Sequence, residues 1–152
     1  MRYWIFTVFE DELETIINKG KFAVEDYCPA VKLIEPGDGL IFYVKRKGAK
    51  RFGGKIAGVF KVLSPWRREE ELLMPNEIAD NELKYPMRVD VKPIKLGSAD
   101  FETLAWNLSF IVEKEAPYIY LVDKPGNMRK PIPETDAIYI MNSLEEEAAE
   151  RP

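Results

Sequence analysis

Residues 36–62 read PGDGLIFYVKRKGAKRFGGKIAGVFKV, and this stretch decides the fold. A tight turn at residues 36–39 leads into an apolar run at residues 40–44, and a second apolar run covers residues 55–62. A tip rich in glycine and lysine separates the two runs, so the pattern predicts a β-hairpin. Because Gly58 lies inside the second run, we expect a β-bulge or a close approach of another backbone there.

Patterns typical of strands and helices flank the hairpin on both sides. Residues 2–8 alternate as a strand, and residues 10–19 open with three acids and carry an apolar stripe. Acids at the start and the stop signal at Gly20 are typical of a helix. Residues 87–96 alternate again, and Pro93 within them indicates an edge position or a bend.

The remaining segments predict shorter elements. Residues 98–106 predict a short capped helix, residues 117–122 a short strand, and residues 133–144 a final helix. Residues 21–32 have no regular pattern, and residues 69–85 read as a polar connection with one helical turn. Separate strands and helices without βαβ alternation predict an α+β domain, built round a curved or barrel-like sheet of about five to six strands with flanking helices.

The length and the cysteine and histidine content limit the function classes. The chain has 152 residues, so we expect one domain over residues 1–147 and an acidic tail at residues 148–152. Cys28 is the lone cysteine and there is no histidine, which excludes an internal disulfide, a Cys/His zinc site and a Ser/His or Cys/His nucleophile. We therefore expect a protein that is not an enzyme and that uses no metal and no cofactor.

Charge is unevenly placed along the chain. The formal net charge is -4, yet the stretch from Lys45 to Arg68 holds nine basic residues and no acidic one. Such a concentrated patch predicts local contact with phosphates despite the negative total. No apolar run reaches the roughly 18 residues of a membrane helix, so we expect a cytoplasmic protein without a membrane partner. We also expect a monomer.

Several segments together resemble an EVE domain of the PUA-like superfamily, especially its short archaeal members. The resemblance spans nearly the whole chain in the expected order, and it is carried by Tyr3-Trp4-Ile5, the loop at residues 19–24, the turn and strand at residues 36–44, the strand at residues 55–62, Tyr85-Pro86-Met87-Arg88-Val89, Leu108-Ser109-Phe110-Ile111, and Met128-Arg129 with residues 132–136.

The resemblance implies a fold and a ligand class. The expected fold is a PUA-like pseudo-barrel flanked by helices and related to YTH and ASCH domains. Such domains bind RNA or DNA, and many EVE domains are thought to hold modified bases in an aromatic cage. One position departs from the family pattern, because Phe22 stands where the loop usually has tryptophan. Phenylalanine still offers a face for stacking but lacks the indole N–H.

By resemblance, four aromatic residues are candidates for the walls of the base pocket: Trp4, Phe22, Tyr43 and Phe110. Stacking supplies affinity for a base, and hydrogen bonds to its edge supply selectivity. Simple core packing remains an alternative for each of these rings.

Four further residues are candidates for contacts with the rest of a nucleotide. Lys45 follows the strand that carries Tyr43 and is expected on the same face, within reach of a phosphate or a base edge. Trp66 is a loop aromatic with basic neighbours. Arg88 and Arg129 carry forked donors that suit a phosphate or a guanine edge, although pairing with a carboxylate is the alternative.

Three hypotheses about function follow. The first is a module that recognises a modified or flipped base of RNA or DNA. The second is a small-molecule or nucleoside-binding module that uses the same pocket, and the third is a protein-interaction domain whose acidic C-terminal helix docks on a basic partner. A polymer ligand predicts an affinity that falls steeply with salt, because only a polymer releases condensed counterions.

Overall fold

The computed structural model describes residues 1–121 and 130–145. Seven strands lie in these residues, and they are β1 (Tyr3–Val8), β2 (Lys21–Val24), β3 (Gly39–Val44), β4 (Lys55–Val62), β5 (Arg67–Arg68), β6 (Met87–Lys95) and β7 (Ala99–Asp100). The helices in the same part of the chain are α1 (Glu10–Lys19), α2 (Ala30–Leu33), α3 (Pro75–Asp80), α4 (Phe101–Ala105), a 3-10 helix (Pro117–Leu121) and α5 (Glu134–Ser143). The predicted tail at residues 148–152 lies outside them.

The strands form one mixed sheet in the order β1-β3-β4-β6-β2. Strands β1 and β3 are parallel, whereas β3, β4, β6 and β2 pair in antiparallel fashion. The short strands β5 and β7 pair with β6 and β4. The predicted hairpin is therefore confirmed as the central pair of an α+β sheet.

The sheet curls so that its two end strands face each other. Strands β1 and β2 are the two outermost strands of the sheet, yet the ring centroids of Phe6 on β1 and Phe22 on β2 lie 4.8 Å apart. Gly58 contributes to the curvature, because Ala57 and Gly58 together oppose the single residue Phe42 across the hairpin. The φ of Gly58 is 130°, and the bulge expected at this glycine is confirmed.

Alternate residues of the sheet feed two separate hydrophobic cores. Trp4 and Phe6 point into the core inside the curl, together with Phe42, and we call this the inner core. Ile41 and Tyr43 lie on the opposite face, in an outer core that packs under α4, the 3-10 helix and α5. Because successive side chains along a strand point to opposite faces of the sheet, this alternation decides which predicted site residues share a face.

Two predicted elements differ from the structure. Residues 117–122 were expected as a strand, but Pro117–Leu121 form a 3-10 helix. Pro117 has no N–H to donate to a ladder, and the nearby free edge of β1 is taken by Ile132, whose N–H donates to the Tyr3 carbonyl at 2.9 Å. The second difference is the stretch at residues 21–32, which contains β2 and α2 instead of irregular chain.

Candidate functional site

A cavity of about 410 Å³ lies where β1 passes into α1 and faces β2. Helix α1 begins at Glu10 because its acids suit the positive helix end, and it ends at Gly20, whose φ of 66° forms the left-handed cap. The cap returns the chain into β2. Strands β1 and β2 are thereby held on either side of the hollow.

Aromatic rings supply much of the cavity wall. They are Phe6, Phe9, Phe22, Tyr27 and Tyr85. Phe22 is only 4% exposed, and its ring packs against Phe6 and, at a centroid distance of 5.2 Å, against Phe42. The Tyr85 hydroxyl accepts a hydrogen bond from Asn76 Nδ2 at 2.8 Å. These contacts hold the inner wall of the cavity in place.

Two charged side chains of opposite sign also line the cavity. Glu12 Oε1 accepts the N–H of Phe9 at 2.8 Å, which leaves Oε2 without a hydrogen bond from residues 1–121 or 130–145. Burial raises the pKa of Glu12, and the nearby Asp11 adds to this effect. Lys45 Nζ lies 4.5 Å from the centroid of the Phe9 ring, a cation–π contact that holds the ammonium beside the cavity. The site therefore offers a hydrogen-bond acceptor and a cation beside flat apolar faces.

Of the predicted site residues, the structure brings Phe22 and Lys45 together at this cavity. The sequence pattern placed Lys45 on the same face as Tyr43, but Lys45 lies beyond the end of β3 and lines the cavity, whereas Tyr43 does not. Strand alternation no longer applies past Val44, where the chain enters the loop to β4.

The other three aromatic residues predicted as walls of the base pocket lie elsewhere. Trp4 is in the inner core, and its indole N–H donates to Asp38 Oδ2 at 3.2 Å. Tyr43 is in the outer core, 5.4 Å from the Phe101 ring. Phe110 packs half-buried against that outer core, and its backbone N–H donates to Asp136. None of these three lines the cavity.

Trp66 and the two arginines complete the set. The Trp66 ring packs against the Phe22 ring, with the two centroids 6.5 Å apart, and its indole N–H donates to the Ile34 carbonyl. Arg88, a candidate for contact with a phosphate or a guanine edge, is fully buried and pairs with carboxylates, because its terminal nitrogens lie 3.5 Å from Glu69 and 3.6 Å from Glu77 of α3. Arg129 lies outside the described residues.

The basic stretch from Lys45 to Arg68 is divided by the fold. Arg46 pairs with Glu102, Arg67 with Glu69 and Asp90, and Arg68 with Asp26 and Glu70. Lys47 and Lys50 are exposed on the loop between β3 and β4, and they line a second hollow of about 490 Å³ that shares Phe9 and Glu12 with the first. The unpaired positive charge is thus smaller than the sequence count indicates.

Sequence reasoning did not single out four of the residues that line the cavity: Phe9, Glu12, Tyr27 and Tyr85. Glu12 was interpreted only as part of the start of a helix, and Phe9 was given no role, although an aromatic residue at a helix N-cap is unusual. Tyr27 lies in the turn before α2, and a large aromatic residue in a stretch without regular pattern is the sequence signal that could have identified it.

No helix within residues 1–121 and 130–145 combines the length and the apolar character needed to cross a membrane. Nor do these ranges bring three or more His, Cys, Asp or Glu side chains together in a way that would hold a metal ion.

Similarity to known proteins covers almost the whole chain. The family model for the EVE domain matches residues 2–142. A UPF0310 protein of Saccharolobus solfataricus is 36% identical over 146 residues, which cover 96% of this chain and 97% of that protein.

Two solved structures share the fold at low sequence identity. The Pho92 YTH domain in complex with m6A has a TM-score of 0.62 at 16% identity, covering 93% of this chain and 84% of that one. The Toxoplasma CPSF4 YTH domain in complex with a 7-mer m6A-modified RNA has a TM-score of 0.60 at 16% identity, covering 97% and 94%. The family match and the close relative show that this chain belongs to the EVE domain family.

Proposed function

We propose that the chain is a nucleic-acid-binding module that takes a modified or flipped base of RNA or DNA into the cavity beside Phe22. The observation that carries this proposal is the coexistence of stacking faces, a free carboxylate oxygen and a fixed ammonium in one hollow of about 410 Å³. Sites for small ligands are typically cavities of about 300–1,000 Å³ that carry a few precisely placed polar groups. The Pho92 and Toxoplasma CPSF4 YTH domains, which share the fold, were solved with m6A and with m6A-modified RNA, respectively.

The chemistry of the wall suits a nucleobase. Phe22 supplies a rigid apolar face, and base stacking on an aromatic ring is worth about 1–3 kcal/mol. Glu12 Oε2 is an acceptor for an exocyclic amino group, the edge that adenine and cytosine present. Lys45 supplies a donor and a positive charge in the cavity wall, suited to the phosphate of an inserted nucleotide.

A binding assay on matched variants tests this function. Short single strands of RNA and DNA, unmodified or with one N6-methylated adenine, are titrated by fluorescence anisotropy at low and high salt. We expect Phe22→Leu to weaken binding about five- to 150-fold, because the ring face is lost while an apolar side chain remains. Trp106→Ala, at an exposed aromatic residue outside the cavity, serves as the control.

Three outcomes separate the alternatives. Loss of binding in Phe22→Leu, measured at a temperature at which circular dichroism shows the apo variant to be folded, supports the proposal. Equal affinity for free nucleosides and strands, with no salt dependence, would favour the small-molecule module instead. The absence of binding to every strand at low salt would refute a nucleic-acid function.

A further inference from the structure

Tyr27 is the most exposed of the large hydrophobic side chains described, at 83%, and it also lines the cavity. Within residues 1–121 and 130–145 its hydroxyl makes no hydrogen bond, and its ring makes no stacking or cation–π contact. Scattered single apolar residues on a surface need no explanation. An uncovered aromatic ring that lines a ligand-sized cavity is different, because a ligand held in that cavity has the ring within reach.

The backbone beneath this ring is held on both sides. Before the turn, Val24 pairs with Met87 in the sheet, and within it the Cys28 N–H donates to the Glu25 carbonyl at 3.1 Å. Asp26, next to Tyr27, forms an ion pair with Arg68 at 2.8 Å. The turn is thus ordered before any ligand arrives, which reduces the entropy lost when the ring stacks on a partner.

The exposure of Tyr27 indicates which base it meets. A base within the cavity lies against the buried ring of Phe22, which is 4% exposed. The protein covers little of the Tyr27 ring, and a base inside the cavity can lie against only one of the two faces of that ring. The other face is therefore available to a second flat group.

We propose that Tyr27 stacks on the base next to the one held in the cavity, so that the site selects a single-stranded polymer over a free nucleoside. This inference rests on the proposed function, since it needs a base in the cavity to position its neighbour. A stacked neighbour adds about five- to 150-fold in affinity, which a lone nucleoside cannot obtain.

The test is a cycle of one protein change and one ligand change. The proteins are wild type, Tyr27→Ala, Tyr27→Phe, Phe22→Leu and the control Trp106→Ala. The ligands are N6-methyladenosine as a nucleoside, a short RNA with one central N6-methyladenosine, and the same RNA with an abasic nucleotide on the 5′ or the 3′ side of it. Affinities are measured by calorimetry at one salt concentration, so that the electrostatic contribution is constant.

We expect Tyr27→Ala to weaken binding of the intact RNA about five- to 150-fold while nucleoside affinity stays unchanged. Removing the neighbouring base on one side should cost the same amount, and the two changes together should cost no more than either alone. Tyr27→Phe should bind like the wild type.

Two results would overturn the inference. Additive losses would show that Tyr27 and the neighbouring base do not touch, and an equal loss for nucleoside and RNA would place the ring on the captured base itself. Failure of the proposed function has a separate signature, because neither the nucleoside nor the RNA would then respond to Phe22→Leu.

Discussion

Phe6 and Phe22 stand on the two end strands of the sheet, and their rings meet edge to face with centroids 4.8 Å apart. This contact closes the curl and at the same time forms part of the cavity wall. The packing that holds β1 against β2 and the proposed base-binding surface therefore use the same side chains. Variants of either ring should therefore be measured for both the free energy of unfolding and the affinity for the ligand.

Glu12 should control the response of binding to pH. Because Phe9 N–H occupies Oε1, protonation falls on Oε2 and turns the acceptor in the cavity into a donor. Burial raises the pKa of Glu12, so affinity for a base with an exocyclic amino group should fall as the pH drops through this raised pKa. Glu12→Gln should remove the pH dependence and weaken binding, whereas Glu14→Gln, exposed on the same helix, should change neither.

Glu69 should govern stability in acid. The hydrogen bond from Arg67, followed by that from Lys21, lowers the pKa of Glu69 from 4.5 to about 2. A depressed carboxyl pKa stabilises the fold fully above 4.5, and this contribution is lost as the pH falls towards 2. Glu69→Gln should lower the free energy of unfolding at neutral pH and flatten its decline below pH 4.5. The control is Glu71→Gln, whose side chain is 73% exposed. An unchanged acid limb in Glu69→Gln would contradict the ion pairing.

Arg88 should act on stability and not through phosphate binding. Its guanidinium is fully buried, and its Nε donates to the Tyr85 carbonyl at 3.0 Å. Arg88→Met leaves the buried Glu77 carboxylate without its positive partner, which should cost about 3–5 kcal/mol in denaturant unfolding. Arg68→Met, half exposed at the surface, should cost under about 1 kcal/mol. A stable Arg88→Met protein with weakened RNA binding would instead restore the phosphate role expected from the sequence.

Gly58 should tolerate no side chain. At its φ of 130° an added Cβ would meet a Phe60 ring carbon at 3.0 Å, inside the bulge that bends β4. We expect Gly58→Ala to destabilise the protein by about 1–3 kcal/mol in thermal unfolding. Gly48→Ala isolates the backbone strain, because Gly48 also has a positive φ but nothing within 4 Å, and it should cost less. Equal losses in the two variants would contradict a steric role for Phe60.

The hairpin, the first helix and the bulge at Gly58 were predictable because each depends on local pattern and backbone preference. The prediction of a strand at residues 117–122 was wrong. A strand needs a free sheet edge to pair with, and Ile132 occupies the edge of β1. Whether a segment finds an edge is a property of the assembled sheet. Local sequence carries no record of it.

The candidate site was predictable only in part for a similar reason. Phe22 and Lys45 were singled out, and they line one cavity. Trp4 and Tyr43 belong to opposite faces of the sheet, which alternation along neighbouring strands decides only once the register of β1 against β3 is known. Arg88 is buried because α3 brings the Glu77 carboxylate against the start of β6, and this packing cannot be recognised from the alternation of residues 87–96.

The most direct measurement is a crystal structure of the protein with a short RNA that carries N6-methyladenosine. The account predicts the modified base stacked on Phe22, with its amino edge at Glu12 and its phosphate side towards Lys45. A strand bound on another surface while this hollow stays empty, or crystals that take up no RNA at low salt, would contradict it.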